Sequence, residues 1–244
     1  FWGKPTAYLK AVDNVSFVVK KGETVGLVGE SGCGKSTLSK ALLRLIEPDA
    51  GKVFFKGESV LDWNRKTLNK KRKEIQYIFQ DPYSSLNPRH TIGYAIQEPM
   101  VVHRILPTQK QRRERVEELL ELVGLLPEHY TRYPHQFSGG QRQRICIARA
   151  LSMNPEFIVC DEIVSALDVS VQAQVLNLLM DLREQFDLSL LFVSHDLSIV
   201  KFVSDRLLVM RAGKIVEQGW SEDIYRNPQN EYTKTLFDAI PKTI

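Results

Sequence analysis

Long apolar runs are missing from this 244-residue sequence, and none approaches the ~20 residues that a membrane-spanning helix requires. We therefore expect no span within the sequence, so any action at a membrane needs a partner that supplies one. Cysteine is scarce too, with three residues and no C-x-x-C pair among Cys33, Cys146 and Cys160. This usage argues against a disulfide framework or a cysteine metal site and fits a reducing cytoplasm.

A strong charge of either sign is also absent, because 29 acidic residues offset 33 basic ones and leave a net charge of +4. Basic runs occur at residues 70–73 and 112–113, and one interpretation is a patch for nucleic acid or lipid headgroups. The alternative is a solvated helix face. We favour this alternative because acidic residues such as Glu114 and Glu117 lie among the second run, and we expect no nucleic-acid partner.

A glycine-rich stretch at residues 29–36, GESGCGKS, fits the phosphate-binding pattern G-x-x-x-x-G-K-[ST]. The apolar run at residues 24–28 predicts a buried strand before it, and the helical spacing of apolar residues from Leu38 to Leu45 predicts a helix after it. Backbone N–H groups and the positive end of the helix dipole face an anion at such a turn. We expect Lys35 to reach the β- and γ-phosphates of a nucleoside triphosphate and Ser36 to ligate Mg²⁺. The candidate nucleotide-binding residues are Gly29, Glu30, Ser31, Gly32, Cys33, Gly34, Lys35, Ser36 and Thr37.

Further polar side chains follow other predicted buried strands, namely Gln80, the pair Asp161-Glu162, and His195. Strands that alternate with helices form mainly parallel sheets, which bind ligands beyond the carboxyl ends of their strands. We therefore expect these side chains and the phosphate-binding turn to lie at one edge of the sheet.

These side chains are candidates for metal binding and catalysis. Asp161 can hold Mg²⁺, usually through water, and Glu162 can orient or deprotonate a water molecule. The amide of Gln80 can ligate Mg²⁺ and place water, and His195 can contact the γ-phosphate. Each has a plainer interpretation on its own, since strand-end acids serve solubility, a lone histidine is usually structural and a lone loop glutamine usually has no role. The phosphate-binding motif favours the functional interpretation, with Lys35 as a further catalytic candidate.

The order of elements predicts an α/β fold, with a mainly parallel sheet and an inserted helical subdomain. We expect one nucleotide-binding domain. Its ATP-binding core would comprise residues 1–84 and 152–220, its helical subdomain residues 85–151, and its helical tail residues 221–244.

Smaller elements are predicted within this frame. Val12–Val19 alternates loosely between apolar and polar residues, which predicts a strand. Asp81–Pro88 is rich in Pro, Ser, Asn and Asp, which predicts a loop. Apolar residues on both sides of Ala212-Gly213 predict a β-hairpin.

At Ser138-Gly139-Gly140-Gln141, the start of another predicted helix, the sequence resembles the ATP-binding cassette ATPases. The usual leucine before this signature is Phe137 here. The resemblance implies that the α/β fold is a P-loop NTPase (RecA-like) core with an antiparallel β subdomain beside the inserted helical subdomain. The resemblance implies that ATP and Mg²⁺ lie between two head-to-tail domains, with signature residues 138–141 at the ATP of the opposite subunit and Ser138 and Gly140 on its γ-phosphate. The order of motifs is also that of the family: Walker A at residues 29–36, Q-loop at Gln80, signature, Walker B ending in Asp161-Glu162, D-loop at residues 165–168 and H-loop at His195.

Two longer strings, FQDPYSSLNPR at residues 79–89 and YPHQFSGGQ at residues 133–141, resemble the ATPases of oligopeptide and dipeptide importers. The first string is more similar to the F-type than to the D-type subunit. The resemblance implies ATP hydrolysis that powers peptide import at the cytoplasmic face of the cell membrane, with transmembrane permease subunits docked near residues 81–94. It implies a paralogous D-type ATPase subunit as dimer partner, with a homodimer as the alternative, and a periplasmic or extracellular peptide-binding protein as an indirect partner.

The sequence departs from the family at two places. Ile163-Val164 follows the two acids where the family usually has Pro-Thr, which changes the stiffness of the loop but keeps both carboxylates. The adenine-stacking aromatic of the family lies near the start of the domain. Tyr8 is the candidate here, with Trp2 or a residue before Phe1 as alternatives.

Other functions stay open at this point. Soluble cassette ATPases of DNA repair or translation share the Walker motifs, although their usual coiled-coil or zinc-bearing inserts are not apparent here. A cassette that binds ATP without hydrolysing it is a third possibility, against which the intact Lys35, Asp161, Glu162 and His195 argue. The cargo is not defined, since relatives of this family also carry nickel or glutathione.

Overall fold

The structure, a computed structural model, describes residues 10–238. These residues fall into two compact units. The first unit comprises residues 10–18, 25–61 and 193–238, and the second comprises Val19–Thr24 and Asp62–Phe192. Within the described range, no helix combines the length and the apolar character that crossing a membrane requires.

Strands and helices alternate along most of the described range. The strands are β1 (Thr24–Val28), β2 (Phe54–Phe55), β3 (Glu58–Ser59), β4 (Ile75–Ile78), β5 (Phe157–Asp161), β6 (Ser189–Val193), β7 (Arg206–Arg211) and β8 (Lys214–Trp220). The helices are α1 (Lys35–Leu42), α2 (Arg65–Lys71), α3 (Pro82–Ser85), α4 (Ile92–Val102), α5 (Gln109–Leu122), α6 (Gly139–Leu151), α7 (Val169–Phe186), α8 (Leu197–Val203), α9 (Ser221–Arg226) and α10 (Glu231–Asp238).

Strand β1 is the centre of the first unit. It pairs in parallel with β7, with Leu27 opposite Leu208, and all of its residues are buried, as expected for a parallel strand covered on both faces. Helix α8 lies directly against its backbone, because a Cβ on Gly26 would overlap the side chains of Val200 and Ser204. This packing fixes where β1 ends and the phosphate-binding turn begins.

Two antiparallel pairs complete the sheet structure of the first unit. Strands β7 and β8 form the hairpin predicted around Ala212-Gly213, with Arg211 opposite Lys214. Strands β2 and β3 form a two-residue ladder in which Phe54 pairs with Ser59. Parallel pairing with antiparallel pairs beside it confirms the predicted fold class.

In the second unit, β4, β5 and β6 are neighbours in that order. Strands β4 and β5 are parallel, with Tyr77 opposite Val159 and Ile78 opposite Cys160. Every residue of β6 is buried, as are the last four of β5. Because Ile78, the last residue of β4, lies opposite Cys160, the segments that follow, which contain Gln80 and Glu162, lie side by side.

Helix α5 shows how local sequence sets the bounds of the helices. Thr108 caps its start in a reciprocal pair of hydrogen bonds with Gln111. The predicted apolar stripe, which includes Val116 and Leu119, is fully buried. The helix ends before Gly124, whose φ of 73° is a conformation that favours glycine.

The predicted strand at Val12–Val19 is wrong. Exposure does alternate along this segment, but its backbone does not form a ladder. The N–H of Asp13 donates to the carbonyl of Gly213 at 2.8 Å, and Arg206 donates to the carbonyl of Val18 at 3.0 Å. The segment is therefore extended and held at separate points, which alternation alone does not distinguish from a strand.

The predicted loop at Asp81–Pro88 contains the short helix α3. The Asp81 carboxylate accepts hydrogen bonds from the N–H groups of Tyr83 and Ser84, and Pro82 occupies the first helical position. An acidic N-cap followed by proline is a helix-start signal that the turn-rich composition of the segment obscured.

Candidate functional site

The phosphate-binding turn lies in the first unit, between β1 and α1. At two of its positions, a side chain would both overlap a neighbouring group and strain the backbone, so glycine is required. Gly29 and Gly34 have φ values of 151° and 108°. A Cβ on Gly29 would overlap the carbonyl oxygen of Met210, and one on Gly34 would overlap that of Ala11. Only glycine lets this loop lie so close to its neighbours.

Lys35 is the first residue of α1, and its ammonium group turns back over the loop. Its Nζ donates to the carbonyls of Gly29 at 2.8 Å and Glu30 at 3.0 Å, and the residue is only 4% exposed. These bonds satisfy a buried cation and hold it over the turn. With the N-terminus of α1 beside it, the turn presents a positive end suited to a phosphate chain.

Residues far away in the sequence support the turn. The N–H of Gly213, at the tip of the β7–β8 hairpin, donates to the carbonyl of Cys33 at 2.9 Å. The N–H of Glu30 donates to the hydroxyl of Tyr232 in α10 at 3.2 Å, and Arg211 lies over the Tyr232 ring at 4.7 Å. Sequence reasoning missed Tyr232, because a tyrosine about 200 residues downstream carries no local signal.

Cys33, within the turn, is buried. Burial raises the pKa of its thiol, and the nearby Lys35 ammonium opposes that shift only in part. The thiol is therefore neutral at physiological pH, which is the weakly nucleophilic form of cysteine. We assign Cys33 a packing role within the loop.

His195 lies in the first unit just beyond β6. The preceding residue, Ser194, donates its N–H to the carbonyl of Leu27 in β1 at 3.2 Å. Asp196 then caps α8 by accepting from the N–H groups of Ser198 and Ile199. This path places His195, which is exposed, at the same end of β1 as the phosphate-binding turn.

The second unit contains the other predicted residues, at the ends of β4 and β5. The Gln80 side chain donates from Nε2 to Oε2 of Glu162 at 2.9 Å. Asp161, the last residue of β5, is 4% exposed. Glu162 takes φ 49°, a left-handed conformation that is uncommon for residues other than glycine and that turns the chain sharply after the strand. The structure thus brings Gln80 and Glu162 together, as the strand order predicts.

Tyr77 of β4 is a second residue that sequence reasoning missed. Its hydroxyl donates to Oδ2 of Asp161 at 2.6 Å. Burial raises the pKa of the Tyr77 hydroxyl, and the hydrogen bond to the Asp161 carboxylate raises it further, so the phenol keeps its proton. Parallel pairing of β4 with β5 is the feature that brings Tyr77 to Asp161, and it is the signal that could have identified Tyr77 from the sequence.

The signature residues open α6. The Ser138 hydroxyl accepts a hydrogen bond from the N–H of Gln141 at 3.3 Å. In return, the N–H of Ser138 donates to the side-chain oxygen Oε1 of Gln141 at 3.0 Å. Gly140 is tightly packed, because a Cβ there would overlap the side chain of Val171. At Gly139 a Cβ would lie 3.2 Å from Leu167, which belongs to the predicted D-loop.

Two arginines of α6 hold α3, the helix that follows Gln80. The guanidinium of Arg142 lies 3.9 Å from the ring centroid of Tyr83, and its Nε donates to the carbonyl of Pro134 at 2.7 Å. Arg149, two turns later on the same face, donates to the carbonyl of Ser85. The signature helix and the segment after Gln80 are therefore connected by side chains within the second unit.

Two further predictions concern the flanks of the site. Ile163 and Val164, which stand where Pro-Thr is usual, are 1% and 2% exposed, so the substitution supplies buried apolar contact in place of a rigid ring. Tyr8, the candidate for adenine stacking, lies outside the described residues, as does the alternative Trp2.

The candidate metal ligands are oxygen donors: the Ser36 hydroxyl, the Gln80 amide and the Asp161 carboxylate. This chemistry fits Mg²⁺, which prefers oxygen and is usually held by one or two protein groups together with substrate phosphates. No cluster of three or more His, Cys, Asp or Glu residues suited to a metal ion occurs within residues 10–238.

Comparison with known proteins agrees with this geometry. The ABC transporter family profile matches residues 12–165. The chain is 55% identical over 238 residues to the oligopeptide transport ATP-binding protein OppF of Bacillus subtilis (strain 168), an alignment of 97% of this chain with 78% of that protein. It is 51% identical over 234 residues to the dipeptide transport ATP-binding protein DppF of Haemophilus influenzae, covering 96% and 71%. A solved dimeric structure of the ATP-binding cassette MJ0796 in a post-hydrolysis state, bound to ADP and Pi, has a TM-score of 0.80 and 30% identity, covering 90% of this chain and 94% of that one.

Proposed function

Because this chain belongs to the ABC transporter family, we propose that it is the ATP-hydrolysing subunit that powers import of peptides through a membrane permease. The structural observation that carries the proposal is the Gln80–Glu162 contact directly after the buried Asp161. The carboxylate that we propose to activate water, Glu162, directly follows the carboxylate that we propose to hold a metal, Asp161. The peptide cargo rests on the relatives, OppF and DppF, which are named for oligopeptide and dipeptide transport.

The turn between β1 and α1 is the proposed binding site for the phosphates of ATP. The Lys35 ammonium, now held by two loop carbonyls, can exchange those bonds for phosphate oxygens. The backbone N–H groups at the start of α1 face the same anion. Ser36 and Asp161, with Gln80, would hold Mg²⁺, which when bound neutralises charge on the β- and γ-phosphates.

Water activation falls to Glu162. Gln80 donates to one of its oxygens, which orients the carboxylate, and a carboxylate is the kind of group that can accept a proton from water. Phosphoryl transfer to water is mostly positioning and charge stabilisation. We assign Glu162 as the general base or water-orienting group and His195 as the contact of the γ-phosphate.

The functional assembly that we propose is a head-to-tail dimer on transmembrane subunits, at the cytoplasmic face of the membrane. The MJ0796 cassette is dimeric in its nucleotide-bound structure, which supports a dimer here. Ser138 and Gln141 cap the N-terminal end of α6, and the positive end of a helix dipole suits an anion presented by a partner. The partner is a paralogous D-type subunit or a second copy.

The segment from Asp81 to Tyr94 is the proposed permease contact. Its two tyrosines, Tyr83 and Tyr94, are 62% and 47% exposed. Helix α3 is held by Arg149, which donates a hydrogen bond to the carbonyl of Ser85. A charge introduced at Tyr94 is expected to reduce transport-coupled turnover without weakening ATP binding. Equal loss of ATP affinity would contradict the assignment of this segment.

The deciding experiment is ATP turnover as a function of protein concentration, with and without a D-type partner. A rate that rises with the square of concentration for the chain alone indicates that it forms both composite sites with itself. A rate that appears only with the partner indicates an obligate heterodimer. Tight ATP binding with negligible turnover in both settings would overturn the proposal in favour of a cassette that binds ATP without hydrolysing it.

The alternative of a soluble cassette ATPase in DNA repair or translation has no support among the relatives reported above, which are named as transport proteins. Nucleic-acid affinity that weakens steeply with salt would revive it.

A further inference from the structure

Tyr77 and Asp161 meet because β4 and β5 are parallel and in a fixed register. Tyr77 lies opposite Val159, and Ile78 lies opposite Cys160, so the residue after Cys160 is within reach of the Tyr77 side chain. The hydroxyl donates to Oδ2 of Asp161 at 2.6 Å. The ring is fixed in turn by Phe79, whose centroid lies 4.6 Å away.

The hydrogen bond acts on a carboxylate with little access to water. Asp161 is 4% exposed, and hydrogen bonds to an ionised oxygen are short and stronger than neutral ones. One such bond from a phenol fixed on a strand restricts rotation of the carboxylate. A carboxylate has about four acceptor sites, so the bond at Oδ2 still permits contact with a metal or a metal-bound water.

We propose that Tyr77 is a positioning residue for Asp161, and that its hydroxyl orients the carboxylate for Mg²⁺ and so sets the Mg²⁺ requirement of ATP binding. The proposal rests on the proposed function in one respect, the role of Asp161 toward the metal. Phenylalanine at position 77 would conserve the shape and packing of the ring and remove only the hydroxyl. A change in the Mg²⁺ requirement of that variant would therefore be due to the hydroxyl.

The test compares Tyr77→Phe with the unchanged chain by titration calorimetry of ATP at a series of free Mg²⁺ concentrations and in excess EDTA. We expect the half-saturating Mg²⁺ concentration to rise about tenfold to a hundredfold, the effect of one hydrogen bond to a charged group. The affinity for metal-free ATP should stay within about twofold. In turnover assays, excess Mg²⁺ should restore most of the maximal rate.

The matched control is Tyr130→Phe. Tyr130 also donates its hydroxyl within the second unit, to Gln97 of α4 at 2.9 Å, and neither residue is among the predicted nucleotide or metal ligands. We expect this variant to keep the Mg²⁺ requirement of the unchanged chain. Thermal melting of both variants separates a loss of stability from a loss of metal affinity.

A double-mutant cycle tests whether Tyr77 acts through Asp161. In an Asp161→Asn background, Tyr77→Phe should add little further loss of Mg²⁺ affinity. An unchanged Mg²⁺ requirement in Tyr77→Phe alone overturns the proposal, and so does an equal loss of affinity with and without Mg²⁺, which indicates a purely structural role. Failure of the proposed function looks different, because the unchanged chain would then bind ATP without turning it over, whereas the test of Tyr77 compares the Mg²⁺ requirement of binding.

Discussion

At the scale of single residues, Glu162 combines an unusual backbone conformation with a defined side-chain partner. Its φ of 49° directs the chain away from β5, and Gln80 holds its carboxylate. A left-handed conformation costs energy in most residues other than glycine. Its occurrence at the residue assigned to water activation is consistent with strain kept at a functional position.

Replacing Glu162 by Gln keeps size and hydrogen bonding but removes the ability to accept a proton. We expect turnover to fall about a hundredfold or more, with ATP affinity unchanged and an ATP-bound dimer accumulating. Single-turnover hydrolysis and light scattering with ATP measure the two effects. Normal turnover in this variant would show that Glu162 is not the base.

The glycines of the turn offer a matched pair of substitutions. Gly34→Ala adds a Cβ that overlaps the carbonyl of Ala11, whereas Gly32→Ala adds one to open space, although both positions have positive φ. We expect Gly34→Ala to lower ATP affinity at least about tenfold more than Gly32→Ala does, since both variants carry a conformational cost of about 1–3 kcal/mol and only Gly34→Ala adds the overlap. Similar affinities would show that close packing at Gly34 is not required.

At the scale of elements, α10 contributes to the turn although it lies at the far end of the described chain. Tyr232 accepts a hydrogen bond from the N–H of Glu30 and is 7% exposed. The tail therefore helps to fix a loop that it adjoins only in the folded state.

We expect Tyr232→Phe to weaken ATP binding about twofold to tenfold, the range for one hydrogen bond of about 0.5–1.5 kcal/mol. Tyr225→Phe is the control, because Tyr225 donates instead to the carbonyl of Leu197 at 2.6 Å. Equilibrium binding of a fluorescent ATP analogue measures both variants. Equal affinity in Tyr232→Phe and the unchanged chain would limit α10 to a role in stability.

Elements that are defined locally could be predicted from the sequence, and those defined by distant contacts could not. Strand β1 and the start of α6 follow from an apolar run and from the N-cap Ser138. Val12–Val19 is predicted as a strand because its residues alternate loosely between apolar and polar. Alternation of this kind does not show whether the backbone has a hydrogen-bonded neighbouring strand. Helix α3 was missed because a single capped turn has too few residues to show helical periodicity.

The same distinction applies to the site. Gln80 and Glu162 could be predicted to meet because both follow parallel strands. Tyr77 and Tyr232 could not, since their contacts join positions 84 and 202 residues apart in the chain and depend on register and packing. The roles of the predicted site residues stay predictions until the variants are measured.

At the scale of the whole molecule, the buried thiols link stability to alkaline pH. Burial raises the pKa of Cys146 from 9.0 to about 11. A group whose folded pKa is raised contributes stability that is complete below the unfolded pKa and is lost as pH rises through the folded value. The relevant window therefore runs from about pH 9 to about pH 11.

We expect the melting temperature to fall more steeply across this window in the unchanged chain than in Cys146→Ala, which has no thiol to ionise. Melting followed by circular dichroism from pH 8 to pH 10.5 measures the difference. Parallel pH dependence in the two proteins would show that Cys146 does not contribute to alkaline unfolding.

The contacts around the phosphate-binding turn also determine when, during synthesis of the chain, the turn can be completed. The turn at residues 29–36 is synthesised before its partners, because β1 pairs with β7 and the carbonyl of Cys33 accepts from the N–H of Gly213. At a synthesis rate of about 5–20 residues per second, the turn waits roughly 10–40 s for those neighbours to be made. A nascent chain thus carries its nucleotide motif long before it can close that motif around ATP, and ribosome-bound chains halted before Gly213 should not retain the nucleotide.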